Sequence, residues 1–299
     1  MNREYDIFFF GHMCVDIIKT PSEESEMTSG PILFSLWTAY QLGLFVGALT
    51  KMSSDDRHRL KELPIPEEDI FWRESPETVL SILEYPTETM EQRNITNLKS
   101  ATPYGIDDFP EFSAKLIHFC SLHMGEIDTG TLHAISQRAP VAIDVQGLLR
   151  KVFPGGTVQY AEWQEKMDIL PLCRFFKADA AEAAFITGMD TEDHEGRVRA
   201  AERFLEWGAQ EVVISHHTEL VAANETGTVS APLKNRNSSG RTGRGDTCFT
   251  SYMAERFSRE PAEAVRFAAA LTSLKLETPG PFKKNRKDID AFLSAFYQK

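Results

Sequence analysis

The chain has 299 residues, 42% of them hydrophobic and 25% charged, which is enough apolar material to bury a large core and too little bias to leave it disordered. Its formal net charge of −12 argues against a nucleic-acid surface, which needs clustered cations to displace counterions, and no uninterrupted apolar run of about 18 residues exists to span a bilayer. Cys14, Cys120, Cys173 and Cys248 lie far apart without a C-x-x-C pair, and Met1 to Asp6 lack the basic start and apolar core of a secretory signal, so a reducing cytoplasm is the expected location.

In chain order, Tyr5 to Gly11 (YDIFFFG) reads as a strand buried on both faces. Gly11 to Asp16 (GHMCVD) then sets a carboxylate just after that strand, where open parallel sheets bind ligands. Leu33 to Leu42, closed by Gly43, reads as a helix, and Leu44 to Thr50 returns to strand. Thr78 to Tyr85 and Gln92 to Ser100 alternate with period two around a polar middle, which predicts antiparallel strands standing away from the main sheet as a lid. Leu116 to Leu122, Val141 to Val145, Phe175 to Lys177 and Glu211 to Ser215 read as buried strands, Gly196 to Trp207 as a helix, and Leu220 to Val229 as a hairpin turning at Asn224 to Gly227. The alternation predicts an α/β fold with a mainly parallel central sheet between two helical layers. Residues 1–299 are expected to form a single domain, with lid strands inserted at about 17–30 and 78–104.

Ser238 to Arg256 (SSGRTGRGDTCFTSYMAER) is a glycine-rich loop entering an amphipathic helix near Asp246, in a segment made basic by Lys234, Arg236, Arg241 and Arg244. Gly243 and Gly245 permit a close backbone approach, and the first helical turn offers unpaired N–H groups at the positive end of its dipole, so the segment suits a phosphate. A carboxylate there is repelled by phosphate unless it has a task, and orienting an attacking hydroxyl is one such task. Taken alone, Asp246 also reads as an ordinary helix cap.

Thr242 to Thr247 (TGRGDT) closely resembles the T-G-A-G-D-T signature of the PfkB/ribokinase family of carbohydrate kinases, and it stands near the C-terminal end as it does in that family. The resemblance implies a ribokinase-like three-layer αβα sandwich with a small β lid, and transfer of the γ-phosphate of ATP, with Mg2+, to a hydroxyl of a small sugar or polyol. It implies that Asp246 is the catalytic base and that Gly243, Arg244 and Gly245 form the anion hole. Arg244 stands where alanine is usual, and reads either as an extra cation for phosphate or as a solvated arginine.

Lys177 to Glu182 (KADAAE) resembles the family's N-x-x-E motif, with Asp179 in place of asparagine, which implies that Glu182 and Asp179 organise magnesium; the same residues also suit an acidic first helical turn. Asp16 matches the aspartate that holds substrate hydroxyls. Ser29-Gly30-Pro31 resembles the family's Gly-Gly substrate motif without its first glycine, leaving Gly30, and Phe34 occupies the place of a common sugar-binding asparagine. Asp144 to Arg150 (DVQGLLR) resembles a branch that includes inositol-type kinases, in which Arg150 would hold a substrate oxygen or phosphate, or else pair at the surface. Lys177, Asp179, Ser215, Gly243 and Gly245 are the expected nucleotide contacts. After Ser215, however, His217 and Leu220 stand where the family has a glycine-containing turn close to the nucleotide, which leaves the donor open. Ala262 to Leu276, opened by Pro261, is by composition a core helix, and by resemblance its end borders the adenine pocket.

Three readings follow: a sugar or polyol kinase; a nucleoside kinase, for which Phe34 is the motif-adjacent stacking candidate; and a non-catalytic ligand sensor on the same scaffold, against which Asp246 counts. A dinucleotide-dependent oxidoreductase lacks its G-x-G-x-x-G after the first strand. Lid strands of this kind can pair between subunits, which makes a homodimer an expectation, and no nucleic-acid or membrane partner is expected.

Overall fold

A computed structural model describes residues 4–87 and 93–297; the expected strand from Gln92 begins outside the described residues, as does the stretch 88–92 of the expected lid insertion. Nine strands form the main sheet in the order Gly227–Pro232, Glu219–Asn224, Glu211–Ser215, Cys173–Asp179, Val141–Asp144, Ile117–Phe119, Ile7–Phe10, Val46–Met52 and Ile70–Glu74. The seven strands from Glu211–Ser215 to Ile70–Glu74 run parallel, and the first two listed form an antiparallel hairpin at one edge.

The strand Ile7–Phe10 (IFFF) shows why the sheet sits centrally. All four side chains are buried, and alternate ones enter opposite cores: Ile7 and Phe9 pack on one face, Phe8 and Phe10 on the other. The first face is covered by the helices Pro31–Gln41, Arg244–Arg256, Pro261–Leu276 and Arg286–Phe296, which contribute Leu36, Phe249, Phe267 and Phe292. The second is covered by Thr129–Ser136, Ala180–Thr187 and His194–Glu206, which contribute Leu132, Ala183 and Phe204. The result is a three-layer αβα sandwich.

Strand order reverses beside Ile7–Phe10: the chain first adds Val46–Met52 on one side, then returns to Ile117–Phe119 on the other. Such a switch point leaves a crevice at the carboxyl ends of the two central strands. A second sheet stands over that crevice. Its strands, in order, are Glu24–Ser29, Cys14–Lys19, Val79–Glu84 and Asn94–Lys99, with a parallel central pair and antiparallel outer pairs. Asp16, just after the first strand in sequence, therefore lies within a strand of this second sheet. Only Gly11, His12 and Met13 separate Ile7–Phe10 from Cys14–Lys19. The outer edge at Asn94–Lys99 meets a short hairpin, Arg150–Val152 with Val158–Tyr160, through the Asn97 N–H donating to the Gly156 carbonyl at 2.7 Å.

Candidate active site

The glycine-rich loop ends at Gly243, which caps the helix Arg244–Arg256 with φ +78°, a left-handed conformation that favours glycine. Space selects glycine there as well: a Cβ would lie 2.2 Å from Cδ1 of Phe34. Cys248, Phe249, Tyr252 and Met253, all buried, anchor the helix in the core, so the first turn is held rigidly with its N–H groups facing the crevice. A Cβ on Gly245 would lie 2.9 Å from the Lys177 ammonium. The turn is thus pressed between an aromatic ring and a cation.

Asp246 is the third residue of this helix. Burial, and then repulsion from Asp144, push its carboxyl up to about 6, with Lys177 and Arg150 opposing. Lys177, on the strand Cys173–Asp179, donates to Asp144 at 2.8 Å and stands 3.9 Å from Glu182. Burial opposes its charge, but Asp144, Glu182 and Asp179 hold the ammonium well above its ordinary value.

Asp179 and Glu182 open the helix Ala180–Thr187 as a reciprocal capping box: each carboxylate accepts the other residue's backbone N–H at 2.8 Å. The acidic first turn is therefore real, and one oxygen of each carboxylate is spent on it. The second oxygen of Glu182 lies 3.6 Å from Arg150. Burial, with Asp179 adding, pushes the Glu182 carboxyl up to about 7. No cluster of three or more His, Cys, Asp or Glu suited to a metal occurs among the described residues. What is present fits a cation such as Mg2+ that keeps its waters and is carried by substrate phosphates, and does not form a protein cage.

All twelve residues expected at the site line one cleft of about 380 Å³: Asp16, Gly30, Phe34, Arg150, Lys177, Asp179, Glu182, Ser215, Gly243, Arg244, Gly245 and Asp246. Asp16 reaches it from the second sheet, where burial raises its carboxyl while Ser29 and Arg93 oppose. Phe34 is 2% exposed, its ring against Gly243, which makes it a floor under the turn. Arg244 has no ion pair among the described residues, and burial lowers its guanidinium with Asp179 opposing.

The cleft also takes in residues that were not expected. Arg93, Ser81, Leu83 and Tyr85 come from the second sheet and its edge, Tyr160 from the short hairpin, and His123 and Gln146 from segments following the central strands. Asp144, the partner of Lys177, was visible as an acidic residue ending a buried strand, which is where ligands of parallel sheets collect. The others come from segments whose local pattern carries no such signal.

The family profile of pfkB family carbohydrate kinases matches residues 82–287. The chain belongs to this family. It is a carbohydrate kinase. No curated protein matches the sequence significantly. Solved structures similar to the kinase include a pyrophosphate-dependent kinase in the ribokinase family complexed with a pyrophosphate analog and myo-inositol, at 23% identity and TM-score 0.84 over 95% of this chain and 99% of that one. A ribokinase from Arabidopsis thaliana complexed with ribose and ATP is 16% identical, with TM-score 0.75 over 97% and 99%. A nucleoside kinase from Methanocaldococcus jannaschii is 14% identical, with TM-score 0.72 over 98% and 99%. These likenesses establish the ribokinase fold.

Proposed function

We propose that the kinase moves a terminal phosphoryl group from a donor held at the Gly243–Gly245 turn to a hydroxyl of a small sugar or polyol held beneath the second sheet, which serves as a lid. The observation that carries this reading is the pairing of Asp246, at the helix N-terminus, with Asp16, on the lid, across a single cleft. Asp16 grips acceptor hydroxyls, and Asp246 receives the proton of the hydroxyl that attacks phosphorus. The new P–O bond forms as the bond to the leaving phosphate breaks. Charge gathering on the equatorial oxygens meets the backbone N–H groups of the turn and the Arg244 guanidinium. Asp179 and Glu182 would hold Mg2+ through its waters, and that ion supplies neutralisation of the donor's phosphate charge. The lid keeps water from competing with the acceptor.

ATP is the donor in the reading that follows from the family resemblance. Inorganic pyrophosphate is a second reading, favoured by a specific observation. The segment before the turn is latched across the end of the helix Pro261–Leu276, where that resemblance puts adenine. Arg236 pairs with Glu277, and the Gly240 N–H donates to the Leu276 carbonyl at 2.7 Å. Among acceptors, the buried face of Phe34 is taken up by Gly243, which removes the stacking partner proposed for a nucleobase.

The test is a screen of sugars, inositols and nucleosides with Mg2+ and either ATP or pyrophosphate, detecting phosphorylated acceptor by mass spectrometry, with Asp246→Asn as control. Acceptor-dependent product lost in the variant supports the kinase chemistry, and the productive donor selects between the two readings. Ligand binding without product from either donor would turn the assignment toward a sensor.

A further inference from the structure

Four cationic side chains are buried among the described residues: Lys51, Lys177, Arg197 and Lys275. Three of them meet a carboxylate, Lys51 with Asp108 at 2.7 Å, Lys177 with Asp144 at 2.8 Å and Arg197 with Glu219 at 2.7 Å. Lys275 is the most deeply buried, at 1% exposure, and has no ion pair among the described residues. Its ammonium donates to the Gly240 carbonyl at 2.7 Å and stands 5.8 Å from the centre of the Phe34 ring, which also lies against Gly243. A buried charge with no carboxylate in ion-pair contact is costly, and an anion arriving nearby removes much of that cost. The last turn of the helix Pro261–Leu276 favours a cation, but that modest surface effect does not require burial of the ammonium behind the glycine-rich turn.

We infer that Lys275 is a positioning residue for the anionic donor: it ties the loop at Gly240 into place and sets a positive charge behind the turn that cradles the phosphates. The inference rests on the donor site proposed above. It adds a residue that lies outside the cleft lining and acts through Gly240 and Phe34. The charged group that faces Lys275 is Asp246, which acts to hold its proton, while burial lowers the ammonium to about 8. Above that pH the free protein loses the charge, and donor affinity falls with it.

The experiment is calorimetric titration of inorganic pyrophosphate into wild type, Lys275→Met and Lys275→Arg at pH 7 and pH 9, with melting temperatures as a check on folding. The expected result is a Kd roughly tenfold higher for Lys275→Met at pH 7 and near wild type for Lys275→Arg, because one buried charge near a polyanion is worth about that much. From pH 7 to pH 9 the wild-type Kd should rise relative to Lys275→Arg, whose charge persists, since the ratio cancels the ionisation of pyrophosphate itself. A purely structural lysine would lower the melting temperature of Lys275→Met and leave the Kd unchanged, which overturns the inference. Should Lys275→Met not fold, a wild-type to Lys275→Arg ratio independent of pH overturns it equally. Absence of pyrophosphate binding by wild type overturns the inference, whereas ATP bound in its place would keep the donor site. Lys275-dependent binding with no turnover of any acceptor would sustain the inference while removing the kinase chemistry.

Discussion

Replacing Asp246 by asparagine should separate the chemistry of the site from its stability. The carboxyl is pushed up to about 6 from an ordinary value of 3.8, by burial first and Asp144 second. The folded chain therefore binds this proton more tightly than the unfolded chain does. The ionised carboxylate costs stability above pH 6, the cost shrinks as pH falls, and it vanishes below the unfolded value. At about 1.4 kcal/mol per pK unit, the full penalty near pH 7.5 is about 3 kcal/mol. Asp246 is half-buried, so solvent screening discounts this figure, and asparagine forgoes a carboxylate–dipole attraction of roughly 0.5 kcal/mol. The net gain is about 2 kcal/mol, or about 4 °C in Tm for a chain of this size. Asp246→Asn should therefore melt above wild type at pH 7.5 by that amount, and the gap should narrow by more than half at pH 4.5, while kcat falls about 10²–10⁴-fold. Scanning calorimetry at the two pH values, paired with a phosphorylated-product assay, measures both. A Tm at or below wild type at pH 7.5, or a gap that ignores pH, refutes the electrostatic stress assigned to this carboxylate, and a retained kcat refutes its role as base.

In wild type the same carboxyl predicts an acid limb in kcat/KM at about 6, because only the ionised base accepts a proton; Lys177→Met removes the first opposing cation and should move the limb upward by roughly 1–3 units. Gly243→Ala places a methyl group against Phe34 at a φ of +78°, so donor Kd should rise at least about tenfold and stability fall by about 1–3 kcal/mol, read by calorimetry. Glu182→Ala breaks the capping box with Asp179 and should raise the Mg2+ concentration giving half-maximal rate. In wild type that half-maximal Mg2+ concentration should itself rise as pH drops below the Glu182 value of about 7, where a proton competes with the metal.

Strands buried on both faces were the most legible part of the sequence. Ile7–Phe10 and Val212–Ile214, the middle of the strand Glu211–Ser215, are unbroken apolar runs because no residue in them meets water. The edge strand Ile70–Glu74 was not legible, since its half-exposed residues owe their order to pairing with Val46–Met52, distant in sequence. Asp246, Asp16 and the glycines stood out because they fall in short motifs that resemble the family's, although Asp246 alone reads as an ordinary cap. Lys275 did not, since an apolar helix containing one lysine reads as core, and only the absence of an ion pair to it among the described residues sets it apart from the other buried cations. The pattern D-x-x-E at Asp179 to Glu182 is compatible with both cap and metal, and geometry was needed to see that the cap is made.

The three-residue link between the central strand Ile7–Phe10 and the lid strand Cys14–Lys19 has an evolutionary consequence. The proposed acceptor grip is carried by one sheet, while the proposed base and anion hole are carried by a helix packed on the other sheet, and the two share no backbone hydrogen-bond ladder. Lid sequences can therefore drift toward new acceptors without disturbing the machinery of transfer. On that reading, substitutions in the second sheet would change what is phosphorylated and leave unchanged how.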